Sequence, residues 1–325
     1  MNKRPLWTVA LLLTGSLLAG CGLSAGGSTP LHVKPGSIQP VPELVDVELT
    51  VGSKDFSEQL VLAYLAEFAL SAAGAKVRDL SNIAGSNSGR DALLTGQIDL
   101  MWEYTGTGWI SYLGHEDPIP DDAGQFEAVR KEDLARNRVV WSLMAPLNNT
   151  YAFAMNRKNA ERLGVRTMSD MARVTRERPE EGTFCVENEF ASRNDGMPGV
   201  QRTYGFEPAP GKAKLLANGP IYQATANGDT CNFGEIFTTD GRVLALDLVL
   251  LTDDRNFFPR YNASMTMREE TASTHPQITE VLRPVAAKLT NEVMLKLNAE
   301  VDVEGKDPAE VARNWLVREG FVRMP

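Results

Sequence analysis

The sequence predicts an α/β fold, in which strands and helices alternate along the chain. Residues 45–51 alternate apolar with polar side chains, the two-residue period of a half-buried strand. Ser57 is placed to cap a helix with apolar residues at helical spacing, which Gly74 ends. Residues 98–102 form a short apolar run that indicates a further strand. A strand, a helix and a strand in this order are typical of a layered α/β domain.

The same alternation continues to the end of the chain. Residues 244–251 form a near-continuous apolar run, typical of a strand that is buried on both faces. Asp307 and Pro308 mark the start of a last helix, and Gly320 ends it. The other predicted elements are strands at residues 76–80, 150–155 and 183–186 and helices at residues 90–94, 195–204 and 280–298.

The first 21 residues are typical of a signal peptide that leads to a lipid anchor. Lys3 and Arg4 give a short positive start, and the apolar residues 6–20 are too few to span a bilayer comfortably. Leu-Ala-Gly-Cys at residues 18–21 resembles the bacterial lipobox, although an ordinary signal peptide with an accidental Cys remains an alternative. We therefore predict that residues 1–20 are removed and that Cys21 becomes lipidated, which anchors the protein to the outer face of the cell membrane.

Residues 21–44 are predicted to form a flexible tether. The stretch at residues 24–42 is rich in Gly, Ser and Pro and has no apolar periodicity, a composition that does not build a core. Two cysteines follow the tether, Cys185 and Cys231. Because disulfides persist outside the cytoplasm, we expect this isolated pair to form one.

Charge and motifs exclude several classes of function. The formal net charge of −9 argues against nucleic acid as a partner, since phosphate binding requires a basic surface. The sequence has no signature of a serine hydrolase, a zinc protease or a phosphate-binding loop, and its three His and its Cys residues lack metal-ligand spacing. We therefore expect no enzyme, no cofactor and no metal.

Four clusters of polar and aromatic residues follow predicted strands. In open α/β sheets, ligands bind just beyond the carboxyl ends of the strands, so such residues can meet in one cleft. Taken singly, each has a simpler explanation, for example a helix cap with a solvated Lys54, or a Tyr in the core. Their joint occurrence favours a binding site. The clusters are residues 52–59, 102–108 and 148–151, and residues 237–241 with 258–262.

These clusters resemble the substrate-binding proteins of ABC-type glycine betaine/choline transporters, over about residues 45–323. The similarity is carried by Gly-Ser-Lys-Asp-Phe-Ser-Glu-Gln at 52–59, Glu-Tyr-Thr-Gly-Thr at 103–107, Asn-Asn-Thr-Tyr at 148–151, Asn-Asp-Gly-Met-Pro-Gly at 194–199, Thr-Asp-Gly-Arg at 239–242 and Phe-Phe-Pro at 257–259. The resemblance implies a type II periplasmic-binding-protein fold with an inter-lobe ligand cleft and hinge crossovers near Asn149 and Leu251. Lobe 1 would comprise residues 45–149 and 252–325, and lobe 2 residues 150–251.

The resemblance also implies which residues bind the ligand. A trimethylammonium group has no N–H to donate, so that ring faces bind it through cation–π attraction. The implied aromatic box is Tyr104, Tyr151, Phe237 and Tyr261, with Phe237 in place of a commoner Tyr. The carboxylate of a betaine would face Lys54, Thr107 and Arg193, and Asn149 lies near a position whose backbone carbonyl contacts the head group.

The implied function is ligand capture for import. The protein, as a monomer, would deliver a quaternary ammonium osmolyte to a membrane permease, with the permease and the ATPase as separate chains. Two other functions stay open, a binding protein of this fold for an amino acid or an ectoine-like zwitterion and a secreted enzyme on the same scaffold. The sequence does not distinguish glycine betaine, choline, carnitine and proline betaine, because one aromatic box serves them all.

Overall fold

Two five-stranded sheets organise the protein in a computed structural model that describes residues 32–325. Residues 1–31, with the predicted signal peptide and lipidation site Cys21, lie outside the described residues. The strands of the described part are β1 (Lys34–Pro35), β2 (Glu48–Lys54), β3 (Lys76–Ile83), β4 (Leu100–Tyr104), β5 (Val139–Asn148), β6 (Tyr151–Asn156), β7 (Phe184–Val186), β8 (Ala213–Leu215), β9 (Phe233–Phe237), β10 (Leu248–Leu250), β11 (Asn262–Arg268) and β12 (Val322–Arg323).

Helices cover both sheets. They are α1 (Ser57–Ala72), α2 (Ser86–Leu94), α3 (Thr105–Thr107), α4 (Asp122–Asn137), α5 (Arg157–Leu163), α6 (Met168–Glu177), α7 (Asn188–Ser192), α8 (Met197–Tyr204), α9 (Asn218–Asn227), α10 (Arg242–Ala245), α11 (Glu269–Thr274), α12 (Gln277–Ala286), α13 (Asn291–Asp302) and α14 (Pro308–Arg318). A 3₁₀ turn, Pro42–Leu44, precedes β2, and a π turn, Gly108–Tyr112, continues α3. Within residues 32–325, no helix is long and apolar enough to cross a membrane.

The two sheets have related topologies. The first has the strand order β3-β2-β4-β11-β5 and the second β10-β6-β9-β7-β8. Three neighbouring strands are parallel in each sheet, β3, β2 and β4 in the first and β9, β7 and β8 in the second. The next strand in each sheet, β11 or β6, pairs antiparallel with its neighbours on both sides. We call the first sheet with α1–α4 and α11–α14 the first lobe, and the second sheet with α5–α10 the second lobe. The predicted two-lobe α/β fold is confirmed, and the predicted residue boundaries of the lobes remain a prediction.

The chain crosses between the lobes twice. It leaves the first lobe between β5 and β6 and returns between β10 and β11. The two crossovers are hydrogen-bonded to each other, because Asn149 N donates to the Tyr261 carbonyl at 3.1 Å and Tyr261 N donates to Asn148 Oδ1 at 2.8 Å. The hinge therefore contains two of the predicted site residues, Asn149 and Tyr261.

Helix α1 is buried almost all round. It packs against β2 and β3 on one side and against α12, α13 and α14 on the other. A helix covered on both sides needs no polar face, and Val61, Leu65 and Phe68 have no exposed surface. Ser57 does not cap this helix as the sequence suggested, since its hydroxyl instead donates to Asp302 of α13.

The predicted tether is too long by about a dozen residues. Strand β1 pairs antiparallel with β12, and Ser37 N and Ile38 N donate to the Gly320 and Phe321 carbonyls. Ile38 and Leu44 are buried in the core of the first lobe. A side chain at Gly36 would come within 2.6 Å of the Gly320 carbonyl, so glycine here permits backbone contact, and the composition that suggested a tether instead allows close packing.

Two further sequence-based elements differ from the structure. Residues 244–251 are not one buried strand but the end of α10, a turn and β10, and Leu244 is 70% exposed. Residues 280–298 are two helices, because Leu289 turns into the core and the Thr290 hydroxyl caps α13 by accepting from Val293 N. In both cases a single apolar run was predicted to form one element, and tertiary packing divides it into two.

The second lobe contains the predicted disulfide. Cys185 of β7 is bonded to Cys231, two residues before β9, with their Cα atoms 5.7 Å apart. Both residues are fully buried beside Ile221. The disulfide therefore ties β7 to the approach of its neighbour β9, the strand that ends at Phe237.

Candidate ligand-binding site

A cavity of about 440 Å³ lies between the two lobes. All eight residues that the family resemblance implied as ligand contacts line this cavity: Lys54, Tyr104, Thr107, Asn149, Tyr151, Arg193, Phe237 and Tyr261. The structure thus brings residues from both lobes and both crossovers to one place, and their contact with a ligand stays a prediction.

The cavity lies at strand ends because the topology directs them there. Lys54, Tyr104 and Phe237 are the last residues of β2, β4 and β9. Strand β6 runs antiparallel to β9, so its first residue, Tyr151, pairs with Phe237. Gly106 lets Tyr261 approach, since a side chain at Gly106 would come within 2.6 Å of the Tyr261 ring.

Aromatic rings form one wall of the cavity, with Tyr151 at the centre. Its ring centroid lies 5.2 Å from that of Phe237 and 5.4 Å from that of Tyr261, the latter in an edge-on arrangement. A fifth ring, Phe56, lies 5.1 Å from Phe237 and 6.2 Å from Tyr104 and also lines the cavity. Five ring faces are a suitable environment for a cation that cannot be hydrogen-bonded.

Phe56 is an aromatic residue of the cavity that sequence reasoning missed. It belongs to the 52–59 motif but precedes the first helical residue, where it read as part of a helix start. The signal that identifies it is its position two residues after the end of β2, on the same edge of the sheet as Lys54.

Lys54 is already in a buried ion pair. Its Nζ lies 2.6 Å from Glu103 Oε1, and both side chains are at most 5% exposed. Glu103 also accepts from the Tyr112 hydroxyl at 2.6 Å and from Tyr104 N at 2.7 Å. The ammonium group also lies 5.1 Å from the centroid of the Tyr104 ring, so its charge already faces one wall of the aromatic box.

Arg193 is paired with two carboxylates. Its Nε donates to Asp195 Oδ1 at 2.7 Å, and its Nη1 donates to Glu189 Oε1 at 2.8 Å. A longer contact of 3.4 Å reaches Thr107 in the first lobe, and the guanidinium lies 5.6 Å from the Tyr151 ring centroid. Arg193 therefore connects the acidic side of the second lobe to the aromatic wall.

Glu189 lines the cavity and joins the two lobes. Its Oε2 accepts from Ser86 N, at the start of α2 in the first lobe, at 2.9 Å. Burial favours a higher pKa for Glu189, but the charges of Lys54 and Arg193 and the bond from Ser86 outweigh it and lower the pKa to about 2. The carboxylate is therefore ionised at any physiological pH.

Glu58 joins the lobes through a second set of hydrogen bonds. This buried carboxylate of α1 accepts four hydrogen bonds: from the Tyr104 hydroxyl at 2.7 Å, Thr239 Oγ1 at 2.6 Å, Asn149 Nδ2 at 2.9 Å and Asn298 Nδ2 at 2.9 Å. Burial raises the pKa of Glu58 although all four bonds favour the ionised form. The Glu58 side chain thus contacts Tyr104 of the predicted aromatic box, Asn149 of a crossover and Thr239 of the second lobe.

Comparisons with known proteins agree with this geometry. A family model described as the substrate binding domain of the ABC-type glycine betaine transport system matches residues 47–318. A glycine-betaine-binding protein of Pseudomonas aeruginosa is 35% identical over 273 residues, which cover 82% of this chain and 86% of the relative. The Escherichia coli glycine betaine-binding protein YehZ is 30% identical, over 84% of this chain and 91% of its own.

Solved structures give the same result. A crystal structure described as a glycine betaine/carnitine/choline ABC transporter superimposes with a TM-score of 0.67 at 25% identity. The match covers 84% of this chain and 99% of the other.

Proposed function

The chain belongs to the family of substrate-binding domains of ABC-type glycine betaine transport systems, and from that premise we propose that it captures a quaternary ammonium osmolyte in the cavity between its lobes. The single observation that supports this ligand is the wall of five aromatic side chains that lines the cavity. Each ring face contributes roughly 0.5–2 kcal/mol to the binding of a cation that has left water.

The lobes supply the means of capture. Contacts from Ser86 to Glu189, from Glu58 to Thr239 and from Thr107 to Arg193 all cross the cleft. A ligand between the lobes stabilises this closed arrangement if it contacts both, because only differential contact shifts a conformational equilibrium. The closed, loaded protein is the form that we propose a membrane permease receives.

Calorimetric titration of the purified protein tests this function. Choline, glycine betaine and carnitine are titrated beside 3,3-dimethylbutanol, which has the shape of choline without its charge. We expect at least one quaternary amine to bind. The uncharged compound should bind at least about tenfold more weakly, because the rings attract positive charge. Binding of an amino acid or of ectoine without any quaternary amine would replace this proposal by the alternative ligand class.

Membrane attachment and the absence of chemistry belong to the same proposal. We propose that Cys21 carries the lipid that anchors the protein outside the cell membrane and that the monomeric protein releases its ligand unchanged. Mass spectrometry of the mature protein is expected to show an acylated N-terminal Cys21, and a Cys21→Ala protein is expected in the soluble fraction. Recovery of a chemically altered ligand after long incubation would instead indicate an enzyme.

A further inference from the structure

Both cations that line the cavity already have carboxylate partners. Lys54 lies against Glu103, and Arg193 lies against Glu189 and Asp195. A betaine carboxylate would therefore have to displace a partner or share its cation. Breaking a buried pair leaves a charge without compensation, which is strongly unfavourable.

These partners are themselves fixed in position. Glu103 accepts from the Tyr112 hydroxyl, and Asp195 accepts from the Tyr261 hydroxyl at 2.6 Å. Glu189 accepts from Ser86 N across the cleft. Displacing any of these carboxylates breaks a second hydrogen bond as well. The ion pairs are therefore fixed parts of the cavity wall, and neither cation is free to bind a ligand carboxylate.

The charge around the cavity is negative. Asp55 also lines it, and Lys54 and Arg193 are its only cationic lining residues within residues 32–325. The lining and its ion pairs contain two cations and four carboxylates: Lys54, Arg193, Asp55, Glu103, Glu189 and Asp195. Glu187 also lines the cavity, and burial raises its pKa; any ionisation of Glu187 adds to this negative charge. The excess of two negative charges attracts a cation and repels a carboxylate.

Two cage hydroxyls are also committed to carboxylates. Tyr104 donates to Glu58, and Tyr261 donates to Asp195. Neither hydroxyl proton is then free for a ligand carboxylate. The charge of Asp195 behind the Tyr261 ring adds to the attraction of that ring face for a cation.

We propose that this cavity selects a quaternary ammonium cation that carries no carboxylate, such as choline, over a betaine zwitterion. The inference rests on the proposed function, in which the rings bind the ammonium group of the ligand. It concerns the other end of the ligand, which is a carboxylate in a betaine and a hydroxyl in choline. A hydroxyl in place of the carboxylate needs no charged partner, since it both donates and accepts hydrogen bonds.

Paired titrations of choline and glycine betaine on the full protein test the inference. We expect choline to bind at least about tenfold more tightly, a difference of about 1.4 kcal/mol. Equal binding, or tighter binding of glycine betaine, overturns the inference and leaves the proposed function intact. If neither ligand nor any other quaternary amine binds, it is the proposed function that fails.

A Glu189→Gln variant locates the cause. The amide oxygen can still accept from Ser86 N, but one negative charge beside Arg193 is lost. We expect the preference for choline over glycine betaine to fall several-fold, and the ratio removes any effect on closure that both ligands share. Glu177→Gln is the matched control, because Glu177 is exposed in the same lobe and pairs only loosely with Arg173 at 3.5 Å. An unchanged ratio in Glu189→Gln, or an equal change in the control, counts against the inference.

Discussion

The hydroxyl of Tyr261, at the crossover into the first lobe, donates a 2.6 Å hydrogen bond to Asp195 of the second lobe. The same carboxylate pairs with Arg193. A ring of the predicted aromatic box is therefore positioned by a residue of the opposite lobe, and we expect closure of the cleft to complete the box.

Two substitutions at Tyr261 separate its ring from its hydroxyl. We expect Tyr261→Ala to weaken binding of a quaternary amine by tens-fold or more, since ring burial and cation–π attraction are both lost. Tyr261→Phe keeps the ring face, and Asp195 still forms its ion pair with Arg193. The loss of affinity should therefore be several-fold at most. Calorimetric titration measures both, and equal losses would mean that the hydroxyl rather than the ring face holds the ligand.

Phe56 is predicted to be the fifth ring of the box. Phe56→Leu retains an apolar side chain but removes the ring face between Tyr104 and Phe237. We expect choline binding to weaken about tenfold while the weaker binding of 3,3-dimethylbutanol changes little, because only the charged ligand uses the face. Equal losses for the two compounds would show that Phe56 contributes packing alone.

Glu67 is predicted to make stability depend on pH. Its two carboxylate oxygens are buried without a hydrogen-bond partner in the described chain, and burial, with the nearby Asp79, raises its pKa well above the usual value. In the unfolded chain the pKa is near 4.5. The protonated form is thus favoured by folding, and its stabilising contribution is complete below pH 4.5 and lost as the pH rises towards the folded pKa.

The Glu67→Gln variant tests this sign. It should gain stability over the natural protein, by an amount that grows from pH 4.5 to pH 8, in urea unfolding experiments at both values. Glu48→Gln, at an exposed position of β2, serves as the control and should show little such trend. A Glu67→Gln protein that is less stable at pH 8 would contradict the prediction.

The disulfide is predicted to stabilise the second lobe substantially. Cys185 and Cys231 are 46 residues apart, and closing a loop of that length constrains the unfolded chain by about 4 kcal/mol in the chain-entropy model. A Cys185→Ala/Cys231→Ala protein should therefore unfold at clearly lower urea concentration. The natural protein under reducing conditions should show a comparable shift, and two free thiols in the unreduced, denatured protein would disprove the bond.

Local pattern predicted much of the fold. The strand before Lys54, helix α1 and helix α14 each have a periodicity or an end signal within a dozen residues, and all three are present. The pairing of β1 with β12 joins the two ends of the described chain, and no local composition reports such a contact. Long-range pairing is therefore where sequence reasoning failed.

The site shows the same division. Its rings follow recognisable motifs, and the eight implied residues line one cavity. The carboxylates behind them were not identified, because Glu58 contacts Thr239 from 181 residues away and looks in sequence like an ordinary helix start. Which charges are free and which are paired is decided by such contacts, so the choice between betaine and choline is a question for the three-dimensional structure.

The pairing of β1 with β12 would also limit the distance between the folded body and a membrane, under the proposed anchoring through Cys21. If the lipid is on Cys21, only about 13 residues separate it from the point at which Lys34 is fixed to β12, a leash of at most about 45 Å. A free tether to residue 44 would have allowed nearly twice that height. A short leash confines the protein to a thin layer and raises its effective concentration at any permease in the same membrane. Under the proposed anchoring, capture and delivery would become a two-dimensional search, with the binding protein close to its permease between successive ligands.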